Sequence, residues 1–256
     1  MLNVAFVGKG GAGKSAISGT FARLLARQGD KVLAIDSDPL PGLAFSLGLA
    51  IDHSPPIPDD AVIERKEGEE GPRWRLNPDV DPFEAVERWS VEAPDGVRFL
   101  QFGKILGDPK NLWRSQMAFR FVINQLPAGR WNVVGDLPGG TRQAFTGWGT
   151  WANTIVIVVE PTAKSLLSGR RLARMADLDP ENPKRILAVA SKVREEGDVE
   201  MIAKGTGLEV VASVPWDEEL AEAERRQLAP IDFAPDSPAV VAVTSLVERL
   251  SEEKVS

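Results

Sequence analysis

The 256-residue sequence has no cysteine and a single histidine. The first absence removes any disulfide framework and any thiolate metal site. The second leaves His53, in the turn-like stretch "DHSPP", without an imidazole or thiolate partner for a metal. Long apolar runs are absent as well. No stretch approaches the roughly 18 apolar residues of a membrane span, and the first residues lack the basic and apolar blocks of a secretory signal. A soluble, cytoplasmic protein with no membrane anchor is expected. Nor is there an excess of positive charge: 30 Lys and Arg stand against 37 Asp and Glu, a formal net charge of −7. Sequence-independent nucleic-acid binding needs a basic face to displace counterions, so no nucleic-acid partner is expected. From Asp217 to Ser256, ten acidic residues face four basic ones, which argues against a basic amphipathic helix lying on a membrane.

What is present is an alternation of short apolar runs and amphipathic stretches. "LNVAFV" reads as a buried parallel strand. After a glycine-rich loop, "KSAISGTFARLLARQG" places Ile17, Phe21, Leu24 and Leu25 at helical spacing, and Gly29 marks the stop. "KVLAI" is the next strand and delivers Asp36 and Asp38 at its end. Strands are expected again at "VRFLQFG", "WNVVGD", "NTIVIVVE", "RILAVA" and "LEVVASVP". Helices are expected at "NLWRSQMAFRFVINQL", "TAKSLLSGRRLARMADL" and "DEELAEAERRQL", and at a closing "SPAVVAVTSLVERLSEE" with a Ser-Pro start. The pattern predicts an α/β fold, a mostly parallel sheet flanked by helices on both faces, as one domain over 1–256. Residues 51–96 interrupt it with proline, charge and weak periodicity. They read as a partly mobile insert on the loop side of the sheet, with "ERKEGEEG" as a solvated loop.

The loop "GKGGAGKS" at 8–15 fits the phosphate-loop pattern, with Gly8, Gly13, Lys14 and Ser15 in the required places. Glycines 8, 10, 11 and 13 let the backbone turn tightly and aim N–H groups at an anion, with the following helix start adding its positive end. Lys14 is suited to the β- and γ-phosphates of ATP and Ser15 to Mg²⁺. Asp136 ends an apolar strand in "WNVVGDLPGG", as a Walker-B aspartate does. Asp36 and Asp38 end another, where open α/β sheets bind ligands and where a carboxylate can orient water.

The stretch "KGGAGKS" at 9–15 resembles the deviant Walker A signature KGGxGK[ST] of the MinD/ParA/nitrogenase iron protein class, P-loop NTPases of the SIMIBI type. The resemblance implies a nucleotide-dependent homodimer in which Lys9 reaches the partner subunit's phosphates. It implies a nucleotide site (ATP or ADP) built from Gly8, Lys9, Gly10, Gly11, Ala12, Gly13, Lys14, Ser15 and Ala16. Ser191, Lys192, Pro215, Trp216 and Asp217 would lie toward the base. Lys9, Lys14 and Asp38 would be catalytic, Asp38 being the switch I carboxylate that positions water. Ser15, Asp36, Asp38 and Asp136 would surround Mg²⁺, with Asp136 in switch II and Asp36 in support.

Within the class the chain is most similar to CooC-like ATPases that assist nickel insertion into carbon monoxide dehydrogenase. The likeness runs through "DSDP", "LNPDVD" at 76–81, "GVRFLQFGKI" at 96–105, "VVEPTAKSLLSGRRLARMADL" at 158–178 and "VPWDEELAEAERRQLAP" at 214–230. Three departures accompany it. The Cys-x-Cys pair of nickel-binding members is replaced in "GKILGDPKNLW", which leaves no soft ligand for Ni²⁺ there. The strand-end Asn that reads adenine is Ser191 in "ASKV", and switch II reads "GGTRQAF" instead of Ala-Gly followed by Glu-His. The expected function is a slow Mg²⁺-ATP-hydrolysing switch acting on a protein client, a metalloenzyme or its assembly factor. The alternatives are a ParA- or MinD-like positioning ATPase and a nucleotide-gated adaptor without turnover. Trp148 and Trp151, flanking a glycine in "GWGTW", suit either a client or dimer surface or core packing. Packing is expected for the other tryptophans, although Trp216 lies toward the base in the class.

Overall fold

In strand β1 (Asn3–Gly8), Val4 and Phe6 join one apolar cluster while Ala5 and Val7 join another, and all four are buried. Two-residue alternation with both faces apolar is the mark of a sheet covered on both sides. The same split recurs in the computed structural model at β2 (Val32–Asp36), where Ala34 faces one way and Leu33 and Ile35 the other. The structure describes residues 1–38, 42–50, 57–101, 109–138, 145, 147–176 and 184–252. His53, residues 102–108, which take in the start of the "GKILGDPKNLW" stretch, and residues 139–144 of "GGTRQAF" lie outside the described residues.

The main sheet runs in the order β10 (Val210–Pro215), β9 (Arg185–Val193), β8 (Thr154–Val159), β1, β7 (Asn132–Asp136), β2, β6 (Arg98–Gln101), β5 (Val91–Glu92). Every pairing is parallel except β5 with β6, so the expected mostly parallel α/β sheet is present. Helix α1 (Lys14–Arg27) and α9 (Pro238–Glu252) cover one face, and Phe21 meets Phe6 edge-on at 5.4 Å. On the opposite face α4 (Pro109–Asn124) packs over β2 and β7, α5 (Ala163–Ala176) over β1 and β8, and α6 (Asp198–Thr206), beside α5, over β9 and β10.

Residues 57–96 are more regular than their composition predicts. A hairpin of β3 (Val62–Glu64) and β4 (Trp74–Leu76) packs against α4, with the charged 65–71 connection largely exposed. Helix α3 (Pro82–Trp89) follows, its Asp81 cap accepting the Glu84 N–H at 2.9 Å. Proline at the first helical position after a capping aspartate is a start signal that the surrounding charge had masked. The chain then adds β5 as an antiparallel edge strand. Helix α6 was also unexpected. It buries only Asp198, Ile202 and Thr206, so its sequence carries one large apolar residue on the buried stripe and little periodic signal.

Long-range order around α1 rests on a buried cation. Arg23 is 2% exposed and its Nε donates to Asp95 at 2.7 Å, while its other arm pairs with Asp232 beside α8 (Pro230–Phe233). Burial opposes its charge, but the two carboxylates more than offset this and hold its pKa above the usual value. Trp148 and Trp151 are half-buried against the α4 cluster, and the Trp151 ring sits where a Cβ on Gly135 would lie 2.6 Å from it. These two tryptophans pack the core.

Candidate nucleotide site

Six neighbouring strands end on one edge of the sheet, and the residues at or near their ends border the site, Glu160 lying outside the cleft itself. In spatial order they are Pro215 of β10, Ser191 and Lys192 of β9, Glu160 just after β8, Gly8 of β1, Asp136 of β7 and Asp36 of β2. Residues from positions 8 to 215 therefore meet through parallel pairing, at the carboxyl edge where such sheets bind ligands.

The loop between β1 and α1 is shaped by close backbone approaches. Gly8 has φ +147 and lies in register with Val158; a Cβ there would stand 2.4 Å from the Val158 carbonyl oxygen. Gly13 caps α1 with φ 91 and offers no side-chain acceptor, so the first-turn N–H groups of α1 open toward a cleft lined by Gly13, Lys14, Ser15 and Ala16. An uncapped helix start facing a cavity fits an anion. The Lys14 amine, at 3.5 Å from the Lys9 carbonyl, sits over the same loop.

Beneath the loop two acids are almost fully buried. Asp136 accepts the Ser15 hydroxyl proton at 2.5 Å. Burial pushes its pKa up to about 6, against the pull of the Ser15 hydrogen bond and the Lys14 charge. Asp36 is displaced upward as well, by burial first and then by the neighbouring Asp136 charge. The two stand opposite each other in the β2–β7 register. Asp36, expected in support at the metal, is held there by backbone donors. Its two oxygens accept the N–H groups of Asp38 at 2.9 Å and Leu43 at 3.1 Å, so it shapes the turn after β2. Asp38 is partly exposed, and its charge is felt at Asp136. No group of three or more His, Cys, Asp or Glu able to hold a metal occurs among the described residues. The Ser15–Asp136 pair suits Mg²⁺, which takes few protein ligands and completes its shell with phosphate and water.

From this loop a cleft of about 330 Å³ extends past Ser191, Lys192, Pro215, Trp216 and Asp217 to Leu220, Glu224, Leu228 and Pro230, with Phe45 on the other side. It brings together all five residues expected toward the base. Three of them already have structural work. Ser191 is buried and donates its hydroxyl to the Ala12 carbonyl at 2.8 Å, so it braces the loop. Asp217 caps α7 (Glu218–Arg226) and also accepts the Ala239 N–H at 3.1 Å. Lys192 donates to the Gly11 carbonyl at 2.6 Å. Trp216, for which packing and a place toward the base were both expected, is 37% exposed, with the Arg194 guanidinium 4.3 Å from its ring centroid. Phe45, Leu220, Glu224 and Leu228 were not foreseen, because each belongs to a helix or turn whose place at the cleft depends on packing. Glu160 ends an apolar run as Asp36 and Asp136 do, and the same strand-end rule would have found it.

Comparisons with known proteins identify the family and the fold. The chain is 30% identical to an uncharacterized ATP-binding protein of Methanocaldococcus jannaschii, over 87% of this chain and 88% of that one. It is 28% identical to the carbon monoxide dehydrogenase accessory protein CooC of Rhodospirillum rubrum, over 97% of each. The solved septum site-determining protein MinD of Pyrococcus horikoshii, complexed with Mg-ADP, superposes with a TM-score of 0.74 over 99% of this chain and 98% of that one, at 19% identity. With residues 4–237 matching the model of the CobQ/CobB/MinD/ParA nucleotide-binding domain, the chain belongs to that family of P-loop ATPases.

Proposed function

We propose that the protein is an ATP-hydrolysing homodimeric switch, closed by nucleotide and reopened by slow hydrolysis. One observation carries this reading: a complete phosphate loop with a second, partly exposed lysine, Lys9, beside a Ser15–Asp136 pair already in hydrogen-bond contact. In the closed pair each Lys9 meets the phosphates held by the partner, adding charge where it develops in the transition state. Lys14 and the first turn of α1 bind the phosphates, and Asp38 orients the attacking water. Ser15 and Asp136 would hold Mg²⁺, which supplies charge neutralisation to the phosphates. Trp216 offers a flat face for the base, and Gly8, Gly10, Gly11 and Ala12 complete the cradle.

The output is a change of surface presented to a protein client. Full-length similarity to a carbon monoxide dehydrogenase accessory protein supports a metalloenzyme or its assembly factor as that client. The chain has no cysteine, so such a role rests on the switch and not on thiolate metal carriage. Among the described residues no helix is long and apolar enough to cross a membrane.

Light scattering tests the reading, on protein alone, with Mg-ADP and with Mg²⁺ plus a non-hydrolysable ATP analogue. Dimer formed only with the analogue and lost in Lys9→Ala is the expected result. A mass unchanged across the three states refutes it, and phosphate release over many turnovers separates the switch from a non-hydrolysing adaptor.

A further inference from the structure

Glu160 stands immediately after β8, outside the cleft, and its side chain is 14% exposed. One carboxylate oxygen lies 3.9 Å from the Lys9 amine and the other 3.0 Å from the Lys192 amine. Its own backbone is anchored, the N–H donating to Ser165 Oγ at 3.0 Å and the carbonyl accepting the Thr162 N–H at 2.7 Å. Lys192 in turn reaches the Gly11 carbonyl at 2.6 Å and holds a left-handed backbone, φ 58, that a lysine seldom adopts. Strain of this kind persists where the surroundings over-determine it, commonly at functional sites. A single carboxylate thus ties two lysines together and, through one of them, touches the phosphate loop.

We propose that Glu160 is a positioning residue that parks Lys9 on its own protomer until the closed pair forms. The inference rests on the dimer reading above, in which Lys9 must leave its own subunit's surface to meet the partner's phosphates. Lys192 makes departure easier, because Glu160 keeps a counter-charge after Lys9 has gone. Without Lys192 the carboxylate would hold Lys9 harder. The two residues therefore act in opposite directions on the same step, and the effect of Lys192 passes through Glu160.

The test measures the concentration of non-hydrolysable ATP analogue at half-maximal dimer, by light scattering at fixed Mg²⁺, together with Mg-ADP affinity of the monomer. Glu160→Gln should lower that concentration with Mg-ADP affinity unchanged. A partly exposed ion pair contributes about two- to fivefold per protomer, and two are released per dimer, so the dimerisation constant should rise about 4- to 25-fold. Glu160→Asp, with the charge on a shorter stem, should fall between parent and Glu160→Gln. Lys192→Met should disfavour closure beyond any loss of nucleotide affinity, and the double variant should match Glu160→Gln in the closing step. In nucleotide-free protein, acetylation of Lys9 by an N-hydroxysuccinimide ester, followed by mass spectrometry, should be faster in Glu160→Gln. Closure of Glu160→Gln at the parent's concentration overturns the inference whatever the acetylation rate, and leaves the dimer reading intact. A parent chain that never dimerises overturns both.

Discussion

Two charge clusters, each centred on a buried ionisable group, lie toward opposite ends of α1 and are built on opposite plans. Around Arg23 one cation is matched by Asp95 and Asp232, and Arg27 joins the same two acids. Around Asp136 the carboxylates crowd together: Asp36 is its register partner, Asp38 raises its pKa further, and among the described residues relief comes from Lys14 and the Ser15 hydroxyl. The first cluster ties α1 to residues 72 and 209 positions away along the chain, and its role is explained by cohesion. The second stores unfavourable electrostatics at a strand edge, a cost that a bound cation or phosphate-linked metal would relieve. Like-charge burial at a cleft marks function, whereas balanced burial remote from it marks structure.

The contrast can be broken experimentally, beginning with the largest effect. Lys14→Ala removes the cation nearest the acids and the main phosphate ligand, so nucleotide binding measured by calorimetry should weaken about 100-fold or more. Asp38→Ala should leave that binding in place while phosphate release slows about 10- to 100-fold; unchanged turnover would remove Asp38 from catalysis. Arg23→Ala leaves Asp95 and Asp232 with Arg27 alone and removes a buried side chain, so it should cost about 1–3 kcal/mol in denaturant unfolding, with nucleotide affinity per folded molecule retained.

Asp136→Asn should act in the reverse sense on stability. Because the folded pKa is raised to about 6 from an unfolded value near 3.8, the acid's stabilising contribution is greatest below pH 4 and is lost as pH rises through 6. Without Mg²⁺ and nucleotide, the Asn variant should therefore melt higher than the parent at pH 8, by about 1–3 kcal/mol, with the gain vanishing toward pH 4. A variant less stable at pH 8 would show that Asp136 is structural like Arg23. The smallest effect is expected at Trp216→Ala, where losing the exposed ring should weaken nucleotide affinity about 3- to 10-fold and leave stability unchanged within about 1 kcal/mol.

Much of the fold was legible because its central strands are short, wholly apolar and punctuated by glycine or a terminal acid, as in "NVAFVG" and "VLAID". The P-loop was legible for a related reason: glycines at fixed spacing answer a steric demand that few other sequences meet. The peripheral elements were harder. Helix α3 was hidden in a charged stretch whose start signal, Asp81-Pro82, is local and brief. The edge strand β5 is two residues long, and α6 shows one large buried side chain in nine residues. Lys14 and Ser191, on the P-loop and a strand, carry local signals and line the cleft as expected, while Phe45, Leu220 and Leu228 line it with no such signal. The hydrogen bonds by which Asp36 shapes the turn after β2 carried no sequence signal, because they depend on where Leu43 falls after the loop.

The sequence by itself determined the alternating α/β architecture, the phosphate loop with its two lysines, and the acids at the strand ends. Those features are local, set by side-chain period, glycine sterics and residue chemistry within a few positions. Only the tertiary structure decided that β8 lies between β1 and β9, and so brings Glu160 to Lys9 and Lys192. It alone gave Ser191 to the Ala12 carbonyl, Asp217 to α9 and Arg23 to two distant acids. Strand order is settled by how helices cross over and bury both faces of the sheet, a property of the whole chain that no short stretch encodes.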